Sequence, residues 1–477
     1  MKRPPSTRSG VSALVIIAVV TAVTATGLIL ASETPPGPVW PAAVAPIAAF
    51  VSRDRGLVFK HVVPVHLLDP KVFDARIAAQ DAPGGPGQRA DDRRTAAELR
   101  ALGLLAGSVD LTRAESTADA GTVLGYYDPD TKALYVRGSD LTPEVRVTIA
   151  HELTHALQDQ YFGLDRLDDQ ATSAGAQRGL DALEEGDAVL DEGDYLNSLP
   201  VAQQRTDSVE ESRPGSGMAA GPAIVEVDDN VPYVLGPDMV GAIYAVGGNP
   251  AIDDAFRDPP TTELDVLNPV DFLRHVRTIP LAAPRLVAGE RRDGSAGDFG
   301  ALTLYLTLAS RIDPTTALHA ADGWGGGSVV QLSSGGRSCA RVRVVGRSGA
   351  DTSTIARAVT AWSAAMAPGQ VTLGAPGPVV SFTTCDPGAA AVAGPRSLDD
   401  ALNLADTRNQ NEVNAIYAGA PIPTAGCVGY DSLGDSALLK AEAAQNAVVG
   451  PAPAGLQDTI DRQTARLIER CDPRTRN

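Results

Sequence analysis

At 477 residues, with 44% hydrophobic and 21% charged residues, the chain is long enough for more than one domain and too apolar to be disordered. A formal net charge of -18, with no Lys/Arg cluster to offset it, argues against phosphate-backbone binding, so nucleic acid is not an expected partner. Few aromatics (4%) beside 47 glycines and 35 prolines predict long irregular connections.

Lys2, Arg3 and Arg8 precede Val11 to Ala31, a run of 21 residues without a charge. A helix of that length spans about 30 Å, the hydrocarbon thickness of a bilayer. The expectation is an uncleaved single-pass anchor within 1–35, with the flanking positive charge held inside and the remainder outside the cell membrane. A signal peptide cut after Ala31 would instead give a secreted protein. The Pro-rich stretch from Ser32 to Pro46 reads as a stiff spacer.

Ala48 to Phe73 predicts a short helix and then a strand, with His61 and His66 in structural roles. Asp81 to Gln88 is a loop and Ala90 to Leu105 a helix with Leu99, Leu102 and Leu105 on one side. Val123 to Tyr127 and Ala133 to Val136 flank the turn sequence Asp128-Pro129-Asp130-Thr131, which predicts a hairpin. Thr142 as N-cap with Pro143 at the first helical position starts a helix running to about Phe162. A polar connection leads to a second helix at Gly179 to Leu190, and Thr206 to Ala220 reads as a polar loop. Tyr233 to Val246 predicts a helix, Asp258 to Glu263 a structured loop, and Phe299 to Ala309 an apolar helix.

Val329 to Val345 alternates like strands, Thr354 to Met366 is an amphipathic helix, Val379 to Thr384 is a strand, and the chain from Arg396 onward is helical and polar. The four cysteines lie in the C-terminal third; with no C-x-x-C among them, two disulfides are expected, Cys339 with Cys385 and Cys427 with Cys471. The expected divisions are 1–35, 36–330 (lobes 48–200 and 221–330), an α/β extension 331–395 and a helical region 396–477.

The chemistry centres on His151-Glu152-Leu153-Thr154-His155. Residues four apart share a helix face, so both imidazoles can reach one metal ion. Neutral imidazole suits zinc, a catalytic zinc keeps three protein ligands and an open position for water, and Glu152 stands where a general base for that water is needed. No third histidine follows at H-E-x-x-H-x-x-G-x-x-H spacing, so the remaining ligand must come from elsewhere. The tract Ala182-Leu183-Glu184-Glu185-Gly186-Asp187-Ala188 offers two carboxylates; Glu185 is placed ahead of Glu184, although helical phase alone does not separate them. Small Gly186 and Ala188 would let this helix approach the histidine helix closely.

The stretch A-H-E-L-T-H-A-L-Q-D-Q-Y-F, followed 30 residues after His155 by E-G-D-A, resembles the gluzincin class of zinc peptidases. More closely, the chain resembles an uncharacterised bacterial membrane-anchored or secreted group of H-E-x-x-H proteins. Four further tracts carry that likeness: L-G-Y-Y-D-P-D-T-K-A-L-Y-V, V-P-Y-V-L-G, D-P-P-T-T-E and G-W-G-G. It covers roughly Phe50 to Val330. It implies Zn2+ held by His151, His155 and Glu185, with the strand Leu134 to Arg137 beside the cleft. The fold it implies is α+β and zincin-like: a small mixed sheet, a zinc-binding helix and a helical downstream lobe.

Thermolysin-type gluzincins carry N-E-x-x-S-D on the ligand helix, and here the aspartate that would orient a histidine is missing after Glu185. Asp159 and Asp187 are the candidates to replace it. An oxyanion donor is sought among Tyr233, Tyr126, Tyr127, His275 and His319, with Tyr233 first. Trp324 is expected to pack across the cleft edge. The expected function is a zinc metallopeptidase acting on extracytoplasmic proteins or peptides. The alternative is a catalytically inactive zinc-binding protein of the cell envelope, used as an interaction surface.

Overall fold

The computed structural model describes residues 39–80, 86–111, 114, 123–211, 221–450, 453 and 455–474. The first part holds α1 (Ala45–Asp54), β1 (Val65–Leu68), α2 (Pro70–Gln80), α3 (Pro86–Leu102), the hairpin β2 (Gly125–Asp128) and β3 (Ala133–Arg137), and α4 (Pro143–Phe162). There follow α5 (Leu164–Gln170), α6 (Ala174–Ser198), α7 (Val201–Glu211), α8 (Ala223–Val234) and α9 (Gly236–Arg257). Next are α10 (Glu263–Leu267), α11 (Pro269–Leu273), β4 (Arg291–Asp298), α12 (Ala301–Ala309), α13 (Pro314–Asp322), β5 (Trp324–Ser334) and β6 (Arg337–Gly346). The last elements are α14 (Gly349–Ala364), β7 (Val371–Leu373), β8 (Val380–Cys385), α15 (Leu398–Tyr417), α16 (Ile422–Ser432), α17 (Ser436–Asn446) and α18 (Leu456–Cys471).

The class is α+β with small sheets. A three-stranded sheet in the order β1-β3-β2 is mixed, because β1 runs parallel to β3 and β2 antiparallel to it. The hairpin strand expected beside a cleft, Leu134 to Arg137, is the central strand and is paired on both sides. Both outer strands, β1 and β2, have an edge turned away from β3, and it is on β2 that Tyr127 donates its amide to a carboxylate of α4. A second sheet, β4-β5-β6-β8-β7, is antiparallel throughout and extends the region downstream of 221 beyond the helices expected there. Strand β5 runs through residue 330, where the sequence suggested a division.

Several helices differ from the sequence reading for identifiable reasons. Ser173 caps α6, its side chain accepting from the Ala176 amide, so the helix starts earlier than Gly179 and continues past Leu190 to Ser198. The residues beyond Leu190 (Asp191-Glu192-Gly193-Asp194-Tyr195) carry no apolar period to announce them. Residues 206–211, read as loop, belong to α7, while 212–220 lie outside the described residues. Tyr233 closes α8 rather than opening a helix, and the chain re-enters helix at Gly236.

Tight backbone approaches set the position of α6. A Cβ at Gly179 would meet Pro260 at 2.8 Å, so the D-P-P-T-T-E tract lies directly on this helix. A Cβ at Gly186 would fall 2.3 Å from the Gly236 backbone at the start of α9. Thr262 of the same tract and Asp265, two residues beyond its end, form a reciprocal capping box on α10.

Both expected disulfides are present: Cys339–Cys385 joins neighbouring strands β6 and β8, and Cys427–Cys471 joins α16 to α18. Trp324 is not at a cleft edge but in the core, with its indole N–H donating to the Phe299 carbonyl at 3.0 Å. Among the described residues no helix is long and apolar enough to cross a membrane. That finding overturns the single-pass membrane placement expected from the N-terminus; the run 11–31 behind that expectation lies outside the described residues.

A second buried polar group ties the C-terminal helices to the core. Arg408 of α15 is fully buried and pairs with Asp322 at 2.7 Å, while the Glu412 carboxylate sits 3.6 Å from its Nε and accepts no hydrogen bond. Burial pushes the Glu412 carboxyl up to about 8; Arg408 opposes that shift, and Asp322 and Asp271 add to it. The folded state therefore favours the protonated acid, and stability falls as pH rises from about 4.5 to about 8. Glu412→Gln should match wild type at pH 4 and exceed it by about 1–3 kcal/mol at pH 9. Urea unfolding at the two pH values checks this; equal gaps at both would contradict it.

Candidate metal centre

Helix α4 begins as its sequence dictates. The Thr142 hydroxyl accepts from the Val145 amide, Pro143 occupies the first position, and Gly163 ends the helix in the left-handed region at φ 68°. Its middle is buried on every side, with α1, the β2–β3 hairpin, α6 and α7 packed around it. The buried polar residues on it must therefore be satisfied by specific partners.

His151 and His155 project toward α6. Their Nε2 atoms lie 3.1 Å apart. Glu185 places Oε2 3.2 Å from the first and 3.3 Å from the second. These three side chains are one of two groupings among the described residues whose donor atoms converge closely enough for a metal ion; the other uses disulfide-bonded Cys427 and Cys471 with Asp431. Thiolate ligation is closed to that second group while the disulfide stands. Glu184, the neighbouring candidate, does not join the triad; its backbone carbonyl accepts from Gln158 at 2.9 Å.

The donor set fits zinc. Bonds of about 2.0–2.1 Å in a tetrahedral arrangement put ligand atoms about 3.3–3.4 Å apart, close to the separations found. Two imidazole nitrogens 3.1 Å apart with a carboxylate oxygen beside them are suited to a shared proton or a metal cation between them. Burial alone would lower His151, but Glu185 and Glu192 outweigh it and push the imidazole up to about 10. Glu185 responds oppositely: burial works to raise it, yet His155 and His151 hold it far below the usual carboxylate range.

No family model, curated protein or solved structure matches this chain. What the site can do is thus argued from its own atoms.

Glu152 lies near enough to His151, His155 and Glu185 to feel their charge, and it reaches the sheet. It is buried, and its Oε2 accepts the Tyr127 amide of β2 at 2.7 Å. Burial raises its pKa, with the two histidines and the Tyr127 amide opposing and Glu185 adding to the rise. Tyr233, at the end of α8, lies with its ring nearly parallel to His151, centroids 6.4 Å apart. The other donor candidates are engaged elsewhere. The Tyr126 hydroxyl accepts from Arg76, the Tyr127 hydroxyl donates to Asp159 at 2.6 Å, His319 packs on Tyr430, and His275 sits at φ 50° in the turn after α11. His66 stacks on Tyr135, and the His61 backbone bonds with the Gln160 side chain.

The outer partners of the ligands differ from those expected. His151 Nδ1 lies 2.8 Å from Glu192, and His155 Nδ1 lies 2.9 Å from Gln158. Asp159 instead serves Tyr127 and Lys132, and Asp187 bonds to Gln158 rather than to a histidine. Glu192 stands seven residues, two helical turns, after Glu185, so it shares a face with it. The helical period carries that signal only when the helix runs past Leu190, as it does here. Gln158, three residues after His155, was likewise within reach of the same argument.

Proposed function

We propose that this chain is a zinc-dependent peptidase of zincin-like fold and gluzincin-type ligand set, hydrolysing peptide bonds in proteins or peptides. The observation that carries the reading is the convergence of His151, His155 and Glu185, with Glu152 one residue from the first ligand and aimed at a free strand edge. The bound zinc would draw the pKa of a water toward neutrality and polarise the scissile carbonyl.

The rest falls to side chains and backbone of this chain. Glu152, with one oxygen occupied by the Tyr127 amide, keeps the other to accept a proton from the attacking water. As the carbon–oxygen bond forms and the carbon–nitrogen bond breaks, it returns that proton to the leaving amine. Its raised proton affinity suits a group that must both take and give a proton near neutrality. Tyr233 supplies a hydroxyl on the His151 side for the carbonyl oxygen as it gains negative charge. Beyond the Tyr127 amide, which is given to Glu152, the outer edge of β2 would offer its remaining backbone groups to an extended substrate strand. Recognition through backbone implies broad sequence preference. A site that merely held metal for structure would have no use for a buried acid so placed.

The test is metal removal. Stripping purified protein with a chelator should abolish cleavage of a casein or mixed-peptide substrate by at least about 10³-fold, and one equivalent of zinc should restore it. Protein that takes up zinc but cleaves nothing would sink the catalytic reading; protein that takes up no metal would sink the site itself.

A further inference from the structure

We propose that Gln158, Asp187 and Arg55 form a positioning relay that fixes the tautomer of His155 and builds helix α1 into the metal centre; the proposal rests on the metal-centre reading above. The relay starts at His155 Nδ1, 2.9 Å from Gln158 Oε1. Which end of the Gln158 amide faces the histidine is decided by its other contacts. Its Nε2 is 2.9 Å from the Glu184 carbonyl and 3.0 Å from Asp187 Oδ2, and both of those can only accept. Both amide hydrogens are thus used, Oε1 must face the ring, and His155 Nδ1 must be the donor. The neutral ring then presents a lone pair at Nε2, toward His151 and Glu185.

Asp187 is itself held. Arg55 Nε lies 2.8 Å from its Oδ1, and Arg55 Nη2 lies 2.9 Å from Asp253 on α9. Arg55 is 1% exposed and follows the last residue of α1, 132 positions before Asp187. A guanidinium buried to that degree is retained only where its charge is matched, and here the match is the carboxylate that orients Gln158. The single Gln158 amide also spans two helices, joining the His155 side chain on α4 to the α6 backbone next to Glu185. It sets the gap across which the ligands meet. His151 lies outside the relay, because its Nδ1 is served by Glu192.

The experiment uses the full-length chain with histidines labelled with nitrogen-15, read by NMR in the metal-free form and by chelator competition for zinc affinity. Gln158→Leu should loosen the Nδ1–H tautomer of His155, read at the His155 nitrogens. It should also weaken zinc binding about 10–100-fold. The exchange Gln158→Glu with Asp187→Asn keeps an acceptor facing His155, so it should retain the Nδ1–H tautomer in the metal-free protein. Arg55→Gln should weaken zinc binding at least about threefold. A Gln158→Leu protein with unchanged His155 signals and unchanged zinc affinity overturns the relay. So does an exchange variant that loses the His155 tautomer as Gln158→Leu does, and an unchanged affinity in Arg55→Gln overturns the part assigned to α1. Wild-type protein that binds no zinc overturns the metal-centre reading, while the His155 tautomer in the metal-free protein still decides the relay.

Discussion

Glu152→Gln is expected to lower peptide cleavage by about 10²–10⁴-fold with zinc content and melting temperature unchanged. The substitution is nearly isosteric. Its carbonyl oxygen can still accept the Tyr127 amide that now lies 2.7 Å from Glu152 Oε2, so the side chain should stay where it is. Glu152 is not among the three converging donors, which leaves metal affinity intact. What changes is proton chemistry: an amide cannot take a proton from water or return one to an amine. Because the native carboxyl is buried, the variant also removes a desolvated acid, so no loss of stability is expected. Zinc content by mass spectrometry, thermal unfolding and cleavage rate together decide the matter. Equal cleavage by the two proteins would remove Glu152 from the mechanism.

Gly186→Ala should be the more damaging change to the structure, although helix propensity alone predicts the opposite. Inside a helix, alanine is favoured over glycine by about 1 kcal/mol. Here the new methyl would lie 2.3 Å from both the carbonyl carbon and oxygen of Gly236, and backbone cannot rotate aside as a side chain can. The approach is mutual, since a Cβ on Gly236 would sit 2.4 Å from the Ala182 carbonyl. Helices α6 and α9 must separate to admit the methyl, at a net cost of about 3 kcal/mol. Because Glu185 is the adjacent residue, the displacement should also weaken zinc binding. Gly193→Ala on the same helix is the control: nothing lies within 4 Å of its Cβ position, so it should be neutral or slightly stabilising. Thermal unfolding of the two variants checks the contrast, and similar melting temperatures would refute the contact argument.

Parts of this molecule were legible because they are local. The Thr142–Pro143 start of α4, the hairpin around Asp128-Pro129-Asp130-Thr131 and the four-residue spacing of His151 and His155 all lie within one element or one turn. Sequential pairing was one of three connectivities open to the four cysteines, and both bridges are the sequential ones. Membrane placement did not follow in the same manner, since an apolar run reports only hydropathy.

What the sequence determined by itself was a capped helix with two imidazoles and a carboxyl group at metal-site spacing, and the period of 3.6 residues per turn is enough to say so. The tertiary structure alone decided which of two adjacent glutamates completes the triad. Neighbours on a helix point about 100° apart, and only the packing of α6 on α4 selects Glu185 over Glu184. It also decided that β2 rather than β3 carries the open edge, and that Glu192, Gln158 and Arg55 stand behind the ligands. Periodicity within an element is written in consecutive residues, whereas the rotation of one element against another depends on contacts between residues far apart in the chain.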